Sequence, residues 1–282
     1  CAMVLLGTMY PLLADALEVG KVSVGTPYFG TLFVLLMAPL VLLVPFGPLT
    51  RWQQEQASRP LAMLLPWLGL ALLLGVVAWF MAPQGKLKAA AGVAAATWVL
   101  LGTLRFVWTR LRAQGRAFTP EMLGMTLAHV GIAVFLVGAL LVEALNVQRE
   151  LAVKPGQTVE VGRWGFHFQG VDETQGPNYL SDRGHVQVLR DGRPVTLLHP
   201  EKRAYASGGQ VMTEAGIRPG VLGDVYVAIG EPLGDGAWAL RVHIKPFVRW
   251  IWLGAALMAL GGFVTAADRR FRNHRKSEAT PA

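Results

Sequence analysis

TPEMLGMTLAHVGIAVFLVGALLVEALNVQREL, Thr119 to Leu151, changes character twice. Thr119-Pro120-Glu121 reads as a helix start, with threonine as N-cap, proline in the first turn and an acid at the positive end of the helix dipole. Met122 to Leu145 is then apolar enough and long enough to cross a bilayer, which takes about 20 residues. After Asn146 the long apolar run stops, and farther on come short alternating apolar runs broken by turn signals, the mark of strands. A span ends there and a domain of another kind begins.

Other spans lie on both sides of this point. Thr31 to Pro45 (extendable back through Tyr28 and Phe29), Leu61 to Met81, Ala89 to Trp108 and Phe247 to Ala267 read as complete spans, and Ala2 to Leu13 as about half of one. The composition agrees, with 53% hydrophobic and only 16% charged residues, the profile of a membrane protein. The formal charge of +8 does not mark a nucleic-acid binder. Asn146 to Lys245 is neutral, with 11 Lys/Arg and 11 Asp/Glu, and the excess, 15 basic against 7 acidic, lies in and beside the apolar segments. Basic residues in that position orient spans.

Arg51, Arg59, Arg105, Arg110, Arg112, Arg116, Arg269, Arg270, Arg272, Arg275 and Lys276 fall on one side if every span crosses, against Lys21, Lys86, Lys88 and Arg249 on the other. The richer side is cytoplasmic by the positive-inside rule. The expected architecture is a polytopic α-helical membrane protein with an inserted small all-β periplasmic domain. Residues 1–145 form a transmembrane region with a truncated first helix and four complete spans, 146–245 the periplasmic domain, 246–267 the last span and 268–282 a basic cytoplasmic tail. Within 146–245 the runs TVEV, GFHFQGV, HVQVLRDGRPVTLL, DVYVAIG and AWALRVHI read as strands of a sandwich or barrel, with a hairpin about Asp191-Gly192.

The single cysteine, Cys1, allows no disulfide and no C-x-x-C pair. A lipidated first residue is not favoured, because AMVLLGTMYPLL continues an apolar helix rather than a polar tether. Without an initiator methionine or a signal peptide, the chain reads as a piece of a larger membrane protein.

The residue that does not fit its surroundings is His129. With Gly124 as origin and about 100° per residue, Gly124, Ala128, Gly131 and Gly138 share a narrow stripe suited to close helix contact. Leu123, Leu127, Val130, Val134 and Leu141 share a face suited to lipid. His129 lies on a third face with Met122, Met125, Ala133 and Leu136, roughly 10 Å from the cytoplasmic end of the apolar core at ~1.5 Å per residue. An unpaired polar group there costs about 1–3 kcal/mol. A neutral imidazole bonded to another helix, a metal ligand (haem iron first among metals) and a proton relay all fit the pattern. No other span in this chain offers a second ligand.

His167, His185, His199 and His243 fall in the β region and His274 in the tail, none with a metal-site spacing, and each reads as solvated or packed. Lys245 and Arg249, beside Trp250 and Trp252, read as an interfacial anchor, or as contacts to the anionic group of a haem or a lipid.

Nine blocks along nearly the whole chain resemble the C-terminal part of the CcmF family, the membrane haem lyases of system I cytochrome c maturation. They are VSVGTPYFG (Val22–Gly30), AHVGIAV (Ala128–Val134), GPN (Gly176–Asn178), EKRAY (Glu201–Tyr205), MTEAGI (Met212–Ile217), DVYVAIGE (Asp224–Glu231), GAWALR (Gly236–Arg241), KPFVRWIWLG (Lys245–Gly254) and MALGG (Met258–Gly262). The paralogue dedicated to cytochrome c nitrite reductase looks similar. The resemblance implies a multi-pass protein of the bacterial inner membrane that takes haem, as a transient substrate, from a haem chaperone. It implies attachment of the vinyl groups to the two thiols of a C-x-x-C-H motif in apocytochrome c, working beside apocytochrome-handling maturation proteins. It also implies a resident haem b that reduces the incoming haem with electrons from quinol. In the family that haem is held by two transmembrane histidines, and the second falls on His129. The tryptophan-rich haem-handling loop, the two periplasmic ligand histidines and the first transmembrane ligand belong to a part not in this chain, so this chain alone is expected to be inactive. No outer-domain histidine matches a family ligand position.

Two competing readings predict different behaviour. A solute or proton-coupled permease would use His129 in a relay and pair ionisable groups across several spans. A scaffold would only anchor an interaction domain on its helices.

Overall fold

The computed structural model describes residues 2–20, 24–50, 58–114, 119–209 and 211–267. Cys1, Lys21, Arg51, Arg116, His274 and the basic tail 268–282 lie outside the described residues. Among the described residues six helices are present: α1 (Ala2–Ala16), α2 (Thr26–Leu43), α3 (Ser58–Met81), α4 (Lys86–Gln114), α5 (Pro120–Leu145) and α6 (Val248–Ala266). A short 3-10 turn, Gly47–Leu49, extends the second apolar segment, so that Tyr28–Leu49, α3, α4, α5 and α6 are each long and apolar enough to span a membrane. The chain is a multi-pass helical membrane protein with a β-domain inserted between its last two spans.

The start of α5 is built as its sequence requires. Thr119 is extended (φ −78°, ψ 152°) and its Oγ1 accepts from Met122 N at 3.2 Å, satisfying one of the first-turn donors. α5 packs against α6 on one side and α4 on the other, and α4 packs on α3. The seam with α6 is lined by glycine on both helices. Cβ atoms added at Gly131 and Gly254 would stand 2.8 Å from Gly254 O and 2.7 Å from Gly131 O. Nearer the start of α5 Gly124 meets Gly261, where an added Cβ would stand 2.6 Å from Gly261 O. The small-residue stripe is therefore a backbone-to-backbone contact.

Leu141 departs from the expected lipid face. Together with Leu145 it packs on Ala82, Ala89 and Ala144, because the α3–α4 turn folds over the end of α5. Gly85 there is left-handed (φ +59°), an added Cβ would stand 2.5 Å from Ala144 O, and Gln84 Nε2 donates to Asn146 O at 2.8 Å.

Ten strands form the inserted domain. β1 (Val147–Val153), β10 (Ala237–Pro246), β9 (Gly223–Gly234) and β8 (Gly216–Arg218) make one sheet in that order. β2 (Thr158–Val161), β3 (Trp164–Gln175), β4 (Tyr179–Arg190), β6 (Glu201–Tyr205) and β7 (Met212–Glu214) make the other, with β5 (Arg193–Leu198) also paired to β4. All pairings are antiparallel. The expected hairpin is present: Asp191 (φ 50°) and Gly192 (φ 76°) link β4 to β5, the two left-handed residues of a tight turn. Alternate residues of both sheets fill a core of Val153, Phe166, Phe168, Val186, Val188, Val227, Leu240 and Val242, all fully buried.

The two halves join through adjacent strands. β1 leaves α5 after Asn146 alone, β10 enters α6 through Phe247 alone, and the two strands pair from Val147↔Ile244 to Val153↔Trp238. Phe247 is left-handed (φ 59°), an unusual conformation for an aromatic residue. Its N–H donates to Leu222 O at 3.0 Å and its ring meets Trp250 edge-on at 5.3 Å, which hold it there.

Candidate functional site

His129 is half-buried in the N-terminal half of α5. One turn on, Ala133 is buried against the cluster that contains Ala96, Trp98 and Val99 of α4, with Leu136 beside it. His129 stands on that same α4-facing side of the helix. Its Nδ1 lies 2.9 Å from Met125 O. A carbonyl oxygen only accepts, so Nδ1 carries the proton and the lone pair of the neutral ring is on Nε2, pointing away from its own helix. A ligand imidazole needs just this arrangement: one nitrogen fixed by a backbone carbonyl, the other free to donate to a metal. On α4, Thr103 Oγ1 donates to Val99 O at 2.7 Å within its own helix. Among the described residues no group of three or more His, Cys, Asp and Glu could hold a metal ion. A single imidazole with one nitrogen unengaged can supply one bond to a metal and would need the metal's other ligands from elsewhere.

The two cations singled out at the end of β10 have different fates. Arg249 Nε donates to Asp224 Oδ1 at 2.9 Å, and that carboxylate is buried and also accepts from Gly220 N at 2.9 Å. The Arg249 charge is engaged by a buried carboxylate, although its own side chain is half exposed, and it ties β9 to the head of α6. Lys245 Nζ stands over the Tyr226 ring, 4.9 Å from its centroid. Burial, then the Asp224 carboxylate, push the Tyr226 phenol up, against the opposing effect of Arg249.

The β-domain histidines are packed or paired. His167 Nδ1 lies 2.9 Å from Thr158 Oγ1. His185 meets His199 edge-on with ring centroids 4.8 Å apart, and its Nε2 is 2.9 Å from Asp172 Oδ2. His243 is held below the usual imidazole range by burial, then by Lys245 and Arg241.

The block Glu201–Tyr205 proves to be a buried ionic network on β6. Glu201 accepts from Arg183 Nε at 2.6 Å and from Arg203 Nε at 2.7 Å, and Arg203 lies over the Tyr179 ring at 4.7 Å. Burial of Glu201 alone would raise its pKa, but the bonds from Arg203 and Arg183 outweigh it and hold the carboxyl below its ordinary value. Charge spacing in EKRAY was the available sequence signal, whereas Arg183 reaches Glu201 only through the β4–β6 pairing and Asp224 reaches Arg249 only where β9 meets the head of α6.

Five apolar spans, a glycine-lined helix seam and a β-sandwich inserted before the last span define a class of multi-pass membrane proteins. Comparison narrows the class. Residues 144–246 match the family model described as the CcmF C-terminal beta-sandwich. The chain is 45% identical over 276 residues to the cytochrome c-type biogenesis protein CcmF of Pseudomonas aeruginosa, covering 96% of this chain and 42% of that protein. To CcmF of Escherichia coli it is 37% identical over 279 residues, covering 99% of this chain and 43% of that protein. A solved structure titled cytochrome c heme lyase CcmF shares the fold, with a TM-score of 0.73 at 22% identity over 95% of this chain and 43% of that one. The chain belongs to the CcmF family, and it spans less than half the length of these relatives.

Proposed function

We propose that this chain is the C-terminal part of an inner-membrane haem lyase acting in cytochrome c maturation, and that His129 Nε2 is one axial ligand of a b-type haem. The observation that carries this reading is the bond from His129 Nδ1 to Met125 O, which fixes the tautomer and leaves Nε2 free. A bis-imidazole haem, when bound, supplies one-electron transfer without an open position for oxygen. The residues of this chain hold and orient: Met125 O sets the ring, Ala133 leaves room beside it, and the α4–α5 contact keeps water out. The second ligand would come from the remainder of the full-length protein. The relatives' names support a role in cytochrome c maturation; to that role we add attachment of haem to apocytochrome thiols, with a haem chaperone and apocytochrome-handling proteins as partners and quinol as electron source. The β-domain would then face the periplasm and the C-terminus the cytoplasm, and this part alone would be inactive. Lys245, with only the Tyr226 ring beneath its ammonium, is the better of the two interfacial cations for an anionic group of haem or lipid.

A permease would place paired ionisable groups deep in the spans. The pair joining α4 and α5, Lys88–Glu143 at 2.5 Å, instead stands at the helix ends with both side chains about half exposed. Visible spectroscopy of the purified full-length protein tests the reading. A b-type spectrum lost in His129→Ala, with the β-domain still folded, is expected. A colourless wild type, or a spectrum unchanged by His129→Ala, would overturn it.

A further inference from the structure

The end of the β-sandwich nearest the helices is hollow. A cavity of about 540 Å³ opens between the sheets, within the size range of ligand pockets. One sheet gives it Val147, Val225 and Ile244, with Arg218 paired beside Val225, and the other sheet gives it Arg163 and Arg190. The guanidinium carbons of Arg218 and Arg190 lie over one ring, Trp164, at 4.8 and 5.4 Å from its centroid. Arg163 and Arg190 share a single carboxylate, Asp191, at 3.0 and 4.0 Å, and Arg218 makes no ion pair among the described residues. Positive charge therefore exceeds negative at the mouth.

The rim is greasy and fixed in place. Val221 and Leu222 are 79% and 65% exposed. Their loop is pinned to the head of α6, where Trp250 Nε1 donates to Val221 O and Phe247 N donates to Leu222 O, each at 3.0 Å. Val147 lies two residues beyond the end of α5, and Pro246 two residues before the start of α6. The mouth is thus level with the points where two spans leave the bilayer. Three guanidiniums over an apolar cleft, with exposed aliphatic residues at the membrane surface, match a phosphate joined to a hydrocarbon chain.

We propose that this cavity binds an anionic phospholipid, its phosphate on Arg218 and Arg190 and the upper part of an acyl chain along Val147, Val225 and Ile244. The site would fasten the β-domain to the bilayer, whether or not the helices carry haem. Native mass spectrometry of the full-length protein, titrated with phosphatidylglycerol or phosphatidylcholine, tests this. Wild type and Lys88→Gln, a control charge on α4, should retain phosphatidylglycerol, and Arg190→Gln/Arg218→Gln should retain about tenfold less or weaker still. If the double variant fails to fold by its thermal transition, Val221→Asp on the exposed rim decides, with the same loss expected. Equal retention in the folded variants would overturn the proposal. So would displacement by inorganic phosphate as readily as by phosphatidylglycerol, which assigns the site to the free anion, or a density map of the full-length protein with a protein segment filling the cavity.

Discussion

The α5–α6 seam and the β-sandwich core are both tightly packed, yet they are made from opposite materials. The seam uses Gly124, Gly131, Gly254 and Gly261, so that backbone touches backbone. The core uses Phe166, Phe168 and a layer of valines. In water, burying large apolar side chains is itself the driving force, about 25 cal/mol per Å². Between two helices in lipid that force is absent, since the hydrocarbon outside is as apolar as leucine, and close approach by small residues supplies the attraction. One chain meets both solvents, and the size of its packing residues changes at Asn146.

The contrast predicts opposite responses to changes of side-chain size. Gly131→Leu should have the largest effect, because the added side chain meets the Gly254 carbonyl and the Met258 backbone, neither of which can move aside. Full-length protein carrying it should fail to yield a monodisperse peak in detergent, and normal yield and melting would refute the seam. Phe166→Ala should cost about 3–5 kcal/mol by opening a cavity in the sandwich, read as a lowered thermal transition of the β-domain, with the helices still assembled. The smallest effect is a dependence on pH. Glu201 has a folded pKa below its ordinary value near 4.5. Its contribution is therefore complete above that value and lost as pH falls through the lower, folded one. The β-domain transition should drop on acidification below about pH 4.5, and Glu201→Gln should flatten that part of the profile. An identical slope in the variant would remove Glu201 from the account.

The spans were legible because lipid demands long apolar runs, and the hairpin at Asp191-Gly192 because its turn demands two left-handed residues. The glycine stripe of α5 was legible for a related reason: small residues at helical spacing serve little else. Leu141 was misread because a face toward lipid and a face toward another helix are equally apolar. Composition cannot separate them; only the position of the α3–α4 turn does. Strands β1, β6, β7 and β8 escaped notice because they are polar or very short and owe their form to pairing rather than to local pattern. At the candidate site, the polar intruder in α5 was visible, but which ring nitrogen its own helix engages required the distance to Met125 O. The bond that engages Arg249 was hidden by the 25 residues separating it from Asp224.

Asn146 and Phe247 are the only residues between the last helix pair and the paired strands that continue it. Hinges need slack, and a single residue on each of two neighbouring connections provides almost none. Any tilt of α5 against the bilayer normal must therefore swing the whole β-domain through the same angle, like a mast stepped on a keel. A displacement of about 1 Å near His129 would be magnified at the far end of the sandwich, so that events deep in the membrane could be felt by whatever stands at its tip.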